Sequence, residues 1–122
     1  MSQLEHLVSR PTFELLLRCF SGRPTTCRNT ALGTDYMGTL NRTGSGKTCQ
    51  AWISQSPHKH RYSNHTGYSD GSAALAKNYC RNPDSWKGGL YCYTTDPAKS
   101  WELCSVPYCI GELLCAYFLF LV

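Results

Sequence analysis

Apolar residues are unevenly spread along this chain. They crowd both ends, as Phe13-Glu14-Leu15-Leu16-Leu17 and as the unbroken run Leu113 to Val122, and they thin out between Cys27 and Cys109. In that middle stretch Gly, Thr, Ser, Asn, Tyr and Trp dominate, and turn formers recur every few residues: Gly33, Gly38, Gly44-Ser45-Gly46, Pro57, Gly67, Asp70-Gly71, Asn82-Pro83-Asp84, Gly88-Gly89 and Asp96-Pro97. Such punctuation leaves room only for very short strands. Alternating β-branched, aromatic or Cys positions place them at Cys49–Ile53, Leu90–Tyr93 and Trp101–Cys104, and Ser72–Ala76 reads as one helical turn. The ends follow different patterns. Glu5, Arg10, Pro11 and Glu14 interrupt the first apolar stretch, so it lacks the continuous core of a secretory leader. The last ten residues fall short of the about 20 that a membrane-spanning helix needs, and they have no polar face.

A middle stretch so poor in aliphatics buries little apolar surface and needs another source of stability. The chain supplies one. Eight of its 122 residues are cysteines, six of them between Cys27 and Cys109. A disulfide framework in an oxidising, extracellular compartment is the leading reading. Zinc is the rival, with His58, His60 and His65 near one another, but there is no Cys-x-x-Cys pair to complete a tetrahedral site. A solvent-exposed His-rich loop is the expectation there, and no metal or cofactor is expected. Six cysteines admit fifteen pairings, and spacing alone does not choose among them.

Charge adds little. The formal net charge of +4 is scattered from Arg28 to Lys99 without a run of Lys or Arg, which argues against a nucleic-acid partner. Thr43-Gly44-Ser45-Gly46-Lys47-Thr48 imitates a phosphate-binding loop. The position of its leading glycine holds Asn41, no apolar strand precedes it, and Cys49 and Trp52 follow in strand-like sequence, so it reads as a Gly-Ser turn. Ser, His and Asp all occur, but a chain so short and loop-rich offers no scaffold for a catalytic triad, and no catalytic residue is assigned. Asn41-Arg42-Thr43 and Asn64-His65-Thr66 are acceptor sequences for N-glycosylation, at Asn41 and Asn64.

Local strings and cysteine intervals together resemble the kringle domain. The matching pieces are Asp35-Tyr36-Met37-Gly38-Thr39, Cys49-Gln50-Ala51-Trp52, Ser56-Pro57-His58, Asn78-Tyr79-Cys80-Arg81-Asn82-Pro83-Asp84, Cys92-Tyr93-Thr94-Thr95-Asp96-Pro97 and Cys104-Ser105-Val106-Pro107-Tyr108-Cys109. The resemblance divides the chain into a flank and linker at 1–26, a kringle at 27–109 and an apolar tail at 110–122. It implies a small disulfide-rich fold, mostly loops with short antiparallel β-strands. It also implies the pairs Cys27–Cys109, Cys49–Cys92 and Cys80–Cys104. In the chain-entropy picture the first, closing a loop of roughly 80 residues, contributes about 4.5 kcal/mol. Cys19 and Cys115 fall outside; they pair with each other, stay free, or pair with another chain.

The family recurs in clotting and fibrinolytic proteases, growth factors, and receptors of the ROR and Kremen types. The resemblance therefore implies a secreted or cell-surface protein-binding module without catalysis of its own. Two rivals are a fragment of a larger plasminogen-like serine protease and an ectodomain piece of a membrane receptor, for which the tail would be a truncated span. Many kringles hold an exposed or C-terminal lysine in an aromatic trough, where two carboxylates meet the ammonium and cations meet the carboxylate. Carried over, Asp84 matches the first carboxylate, Trp86 stands at the second, Tyr91, Tyr93 and Trp101 match aromatic positions, Ser100 stands at one cationic position and Arg61 lies near the other. The trough is therefore expected to keep its aromatic wall and lose half of its charge pairing.

Overall fold

The computed structural model describes residues 26–109, which belong to one compact unit. The flanks outside that range, with Cys19 and Cys115 and the apolar tail, lie outside the described residues. Among the described residues no helix is long and apolar enough to cross a membrane.

Regular structure is sparse, as the density of turn formers requires. The helix α1 is one turn, Ala73–Ala76. Ser72 caps it: its backbone is extended, and its hydroxyl accepts from the Leu75 N–H. Lys77 ends it with a positive φ of 52°. Two strands, β1 Tyr91–Tyr93 and β2 Trp101–Leu103, pair antiparallel with Cys92 opposite Glu102. Isolated bridges carry the remaining sheet-like pairing: Arg42 with Thr48, Cys49 with Thr94, Arg81 with Tyr91 and Arg28 with Tyr108. This is the small, disulfide-rich, loop-dominated fold that the sequence predicts.

The expected strand at Cys49–Ile53 does not form. Cys49 makes one bridge, and the Gln50 N–H reaches the Tyr93 carbonyl; then the chain turns, with Ser54 N–H on Ala51 O. The turn drives Trp52 inward. Its side chain is 1% exposed, and its indole N–H donates to the Tyr79 carbonyl at 2.7 Å. A strand would alternate the residues on either side of Trp52 across a sheet that has no further strand to pair with. Burying the indole wins.

Trp52 shares one buried cluster with the inner disulfides. Cys49 pairs with Cys92, Cys80 with Cys104 and Cys27 with Cys109, the pairs that the resemblance implies. The sulfurs of Cys49 and Cys80 are 3.9 Å apart, so the two inner bridges touch. Tyr68 and Tyr91 meet Trp52 edge-on, each with its ring centroid at 5.5 Å. At the ends of the loop, Arg28 N–H donates to Pro107 O and Cys109 N–H to Arg28 O, beside the outer bridge. Gly67 shows how close the packing is: a Cβ there would lie 1.8 Å from the Pro83 carbonyl oxygen.

The interior also holds a charge. Arg81 is 2% exposed. Its guanidinium forks onto Asp70 at 2.7 and 3.0 Å and donates to the carbonyls of Gly38 and Cys80, both at 2.8 Å. It also faces the rings of Tyr36 and Tyr79 at 5.3 and 5.4 Å. A buried arginine is tolerated only when its donors are met this completely. Replacing Arg81 by Ala leaves Asp70 and two carbonyls unpaired, and the expected cost is about 3–5 kcal/mol in urea unfolding. Arg81→Lys recovers little of it, because an ammonium does not reproduce the fork. A loss below about 1 kcal/mol for Arg81→Ala counts against this account of the core.

Candidate functional site

The site is built on the turn 82–86. Asn82 is buried and its amide spans the turn: Nδ2 donates to the Trp86 and Leu32 carbonyls, and Oδ1 accepts from the Trp86 N–H at 2.8 Å. Both backbone groups of Trp86 are thus held by one side chain. Ser85 takes a positive φ of 53° to close the turn. The turn presents Asp84 and Trp86 on the side of β1 and β2 that carries Tyr91 and Trp101.

Asp84 is half-buried and already bonded. The Tyr62 hydroxyl donates to Oδ2 at 2.8 Å and the Tyr91 hydroxyl to Oδ1 at 3.3 Å. Burial above all, then bonding with Tyr62 and the charge of Asp84, pushes the Tyr91 phenol well up, so it remains a donor to the carboxylate. Tyr62 was not among the sequence-assigned residues. Its neighbour Arg61 was, and the guanidinium of Arg61 lies over the Tyr62 ring at 5.4 Å. The only local signal for Tyr62 was an aromatic residue beside an assigned cation; the bond to Asp84 spans a separation of 22 residues.

Tyr91, which bonds the carboxylate, groups with two indole rings. Trp86 and Trp101 have centroids 5.3 Å apart with planes at 82°; Trp86 and Tyr91, 5.8 Å and 86°; Tyr91 and Trp101, 6.2 Å and 75°. They are mutually near-perpendicular. Trp101 is 43% exposed and Trp86 half-buried. A shallow depression of about 340 Å³ along β2, lined by Lys99, Ser100, Trp101, Glu102 and Leu103, meets this group only at Trp101. Trp86 is seated by Gly88, where a Cβ would come within 2.1 Å of the six-membered indole ring.

Tyr93 belongs to a different stack. Its ring lies on His60 at 4.7 Å with planes 21° apart, and it reaches Tyr91 only at 6.4 Å. Burial lowers the His60 pKa, and its Nδ1 accepts from the Tyr62 N–H. The His-rich loop is therefore not a loose, exposed segment as expected. Buried Gln50 ties it through Ser54 O, His58 O and the His58 N–H, and the His58 Nε2 meets the Asp96 carbonyl at 2.7 Å.

The imitation phosphate loop is a turn closed on a carboxylate of the protein itself. Gly46 N–H donates to Thr43 O, and the Thr43 and Ser45 hydroxyls donate to Glu102. These bonds hold the Glu102 carboxyl below its usual range, Ser45 contributing most. Lys47 pairs with Asp96 at 2.7 Å. Of the two acceptor asparagines, Asn64 is exposed, while Asn41 is half-buried and the Thr43 of its sequence is buried. The four inner cysteine sulfurs lie within 4.8 Å of one another, but they are consumed as two disulfides.

Comparison with known proteins gives the same outline. A family model described as Kringle domain matches residues 27–109. The chain is 47% identical over 80 residues to human apolipoprotein(a)-like protein 2, a match covering 66% of this chain and 58% of that relative. The match thus spans little more than half the relative's length.

Two outcomes follow from this geometry. Gly88→Ala pushes the Trp86 indole off its seat; we expect a red-shifted tryptophan emission and a loss of about 1–3 kcal/mol, both much reduced in a Trp86→Ala background. Burial lowers the His60 pKa from 6.5, so below that pH the unfolded chain takes up a proton that the folded ring resists. The His60 contribution is complete above pH 6.5 and is lost as pH falls through the lower folded value. Urea midpoints at about pH 7.5 and about pH 5.5 should therefore differ more in wild type than in His60→Phe; equal differences would remove His60 as the cause.

Proposed function

The chain belongs to the kringle domain family, whose members are protein-binding modules, and on that premise we propose that it is an extracellular, non-catalytic kringle that binds a partner protein through a lysine side chain in a half-charged trough. Three disulfides, two of them joining fully or nearly fully buried cysteines, fit an oxidising compartment. The observation that carries the trough is the grouping of Asp84 with Trp86, Tyr91 and Trp101. Asp84 supplies the anion for an ammonium, and the exposed face of Trp101 supports the methylene stem. Arg61, beside Tyr62, is the cation for a terminal carboxylate. Trp86 stands where a second carboxylate would complete the pairing, and the two tyrosine hydroxyls already draw on Asp84. A primary ammonium therefore binds, and weakly.

The test is titration of the full oxidised chain with 6-aminohexanoate, followed by calorimetry. Wild type is expected to bind weakly. Trp86→Asp restores a charge-assisted contact of about 1.5–3 kcal/mol, a gain of roughly tenfold to a hundredfold. Asp84→Asn abolishes binding by the wild-type chain and brings the Trp86→Asp form back to about wild-type affinity. Wild-type affinity equal to that of Trp86→Asp rejects the half-charged site, and indifference to Asp84→Asn moves the partner to another face.

A further inference from the structure

We infer that Trp86 turns this trough from a primary-ammonium site into an aromatic corner selective for a quaternary ammonium, the fully methylated side chain of a lysine in a partner protein. The inference rests on the trough reading and names its ligand.

A primary ammonium carries three N–H donors, and each must find an acceptor when it leaves water. The corner offers one carboxylate. Asp84 has already accepted from Tyr62 at 2.8 Å and from Tyr91 at 3.3 Å, so part of its lone-pair capacity is spent. Trp86 offers no acceptor. A trimethylated ammonium has no N–H to satisfy. Its charge is spread over methyl groups that are attracted to ring faces, and Trp is the best such face. Here two indoles, Trp101 43% exposed and Trp86 partly exposed, stand at 82° with centroids 5.3 Å apart above the buried ring of Tyr91, whose hydroxyl bonds a carboxylate that adds charge attraction without a required hydrogen bond to the ligand.

The corner is built rather than incidental. Asn82 fixes both backbone groups of Trp86, and Gly88 leaves the space that its ring fills. The indole packs against the buried aromatic core on one side and keeps part of its surface in solvent.

A lysine stem is the better source than a phosphocholine headgroup. Phosphocholine places its phosphate two carbons from the quaternary nitrogen, and so near Asp84. A lysine side chain places four uncharged methylenes there, able to lie along Trp101, which is 43% exposed.

The probes are 6-aminohexanoate, its N,N,N-trimethyl derivative and phosphocholine, titrated calorimetrically into the full oxidised chain. Wild type is expected to bind the trimethyl compound roughly fivefold more tightly than the primary amine, the size of one cation–π contact. Trp86→Phe keeps that order with a smaller ratio. Trp86→Asp reverses it. Near-ultraviolet circular dichroism reports whether each variant retains the native core. If the primary amine binds wild type as tightly or more tightly, the inference fails while the trough reading stands. If Trp86→Asp keeps the wild-type order, the assignment to Trp86 fails. Tighter binding of phosphocholine overturns the side-chain source. If neither hexanoate binds wild type, the inference and the trough reading fall together.

Discussion

Two disulfides in contact hold this protein together. Cys49–Cys92 and Cys80–Cys104 join chain segments separated by 43 and 24 residues, and their sulfurs meet at 3.9 Å. Each bridge removes freedom from the unfolded chain, and because they touch they also act as the floor on which the aromatic core is laid. Trp52 is buried in the same cluster, and Tyr68, Tyr91, Tyr62 and Tyr93 surround it edge-on. Little aliphatic material is needed. Leu90 and Val106 are the large aliphatics in the buried cluster.

The same economy explains the buried polar groups. With few strands, backbone carbonyls lack ladder partners and need side chains. Arg81 meets two of them, Gln50 meets two more, and Asn82 meets two. These side chains replace the sheet and helix hydrogen bonds of a larger domain. The fold is therefore a set of loops, each pinned by one buried polar residue to a common aromatic and disulfide centre.

The site inherits its stiffness from this arrangement. Tyr91 packs on Trp52 at one end and donates to Asp84 at the other. Trp101 lies across from Tyr93 in the antiparallel register, on a strand whose next residues lead into Cys104. In the proposed trough a ligand would meet Asp84 and Tyr91 already positioned by the core, at little ordering cost.

The turn density, the single helical turn capped by Ser72, the short strands near Tyr91 and Trp101, and the cysteine intervals were all legible in the sequence, because each expresses a preference between chain neighbours. Asp84, Trp86, Tyr91 and Trp101 were singled out by the resemblance to the kringle family, and the structure brings the three rings together, with Tyr91 bonded to Asp84. Other features were decided by partners tens of residues away. Trp52 left its strand-like pattern because the disulfide floor offered burial. Arg81 went inside because Asp70 and the Gly38 carbonyl were there to receive it. Tyr93 turned to His60, and Tyr62 rather than a second acid became the neighbour of Asp84. A sequence pattern states what each residue tolerates locally; which buried partner satisfies it is settled only when the disulfides bring distant segments together and exclude water from between them.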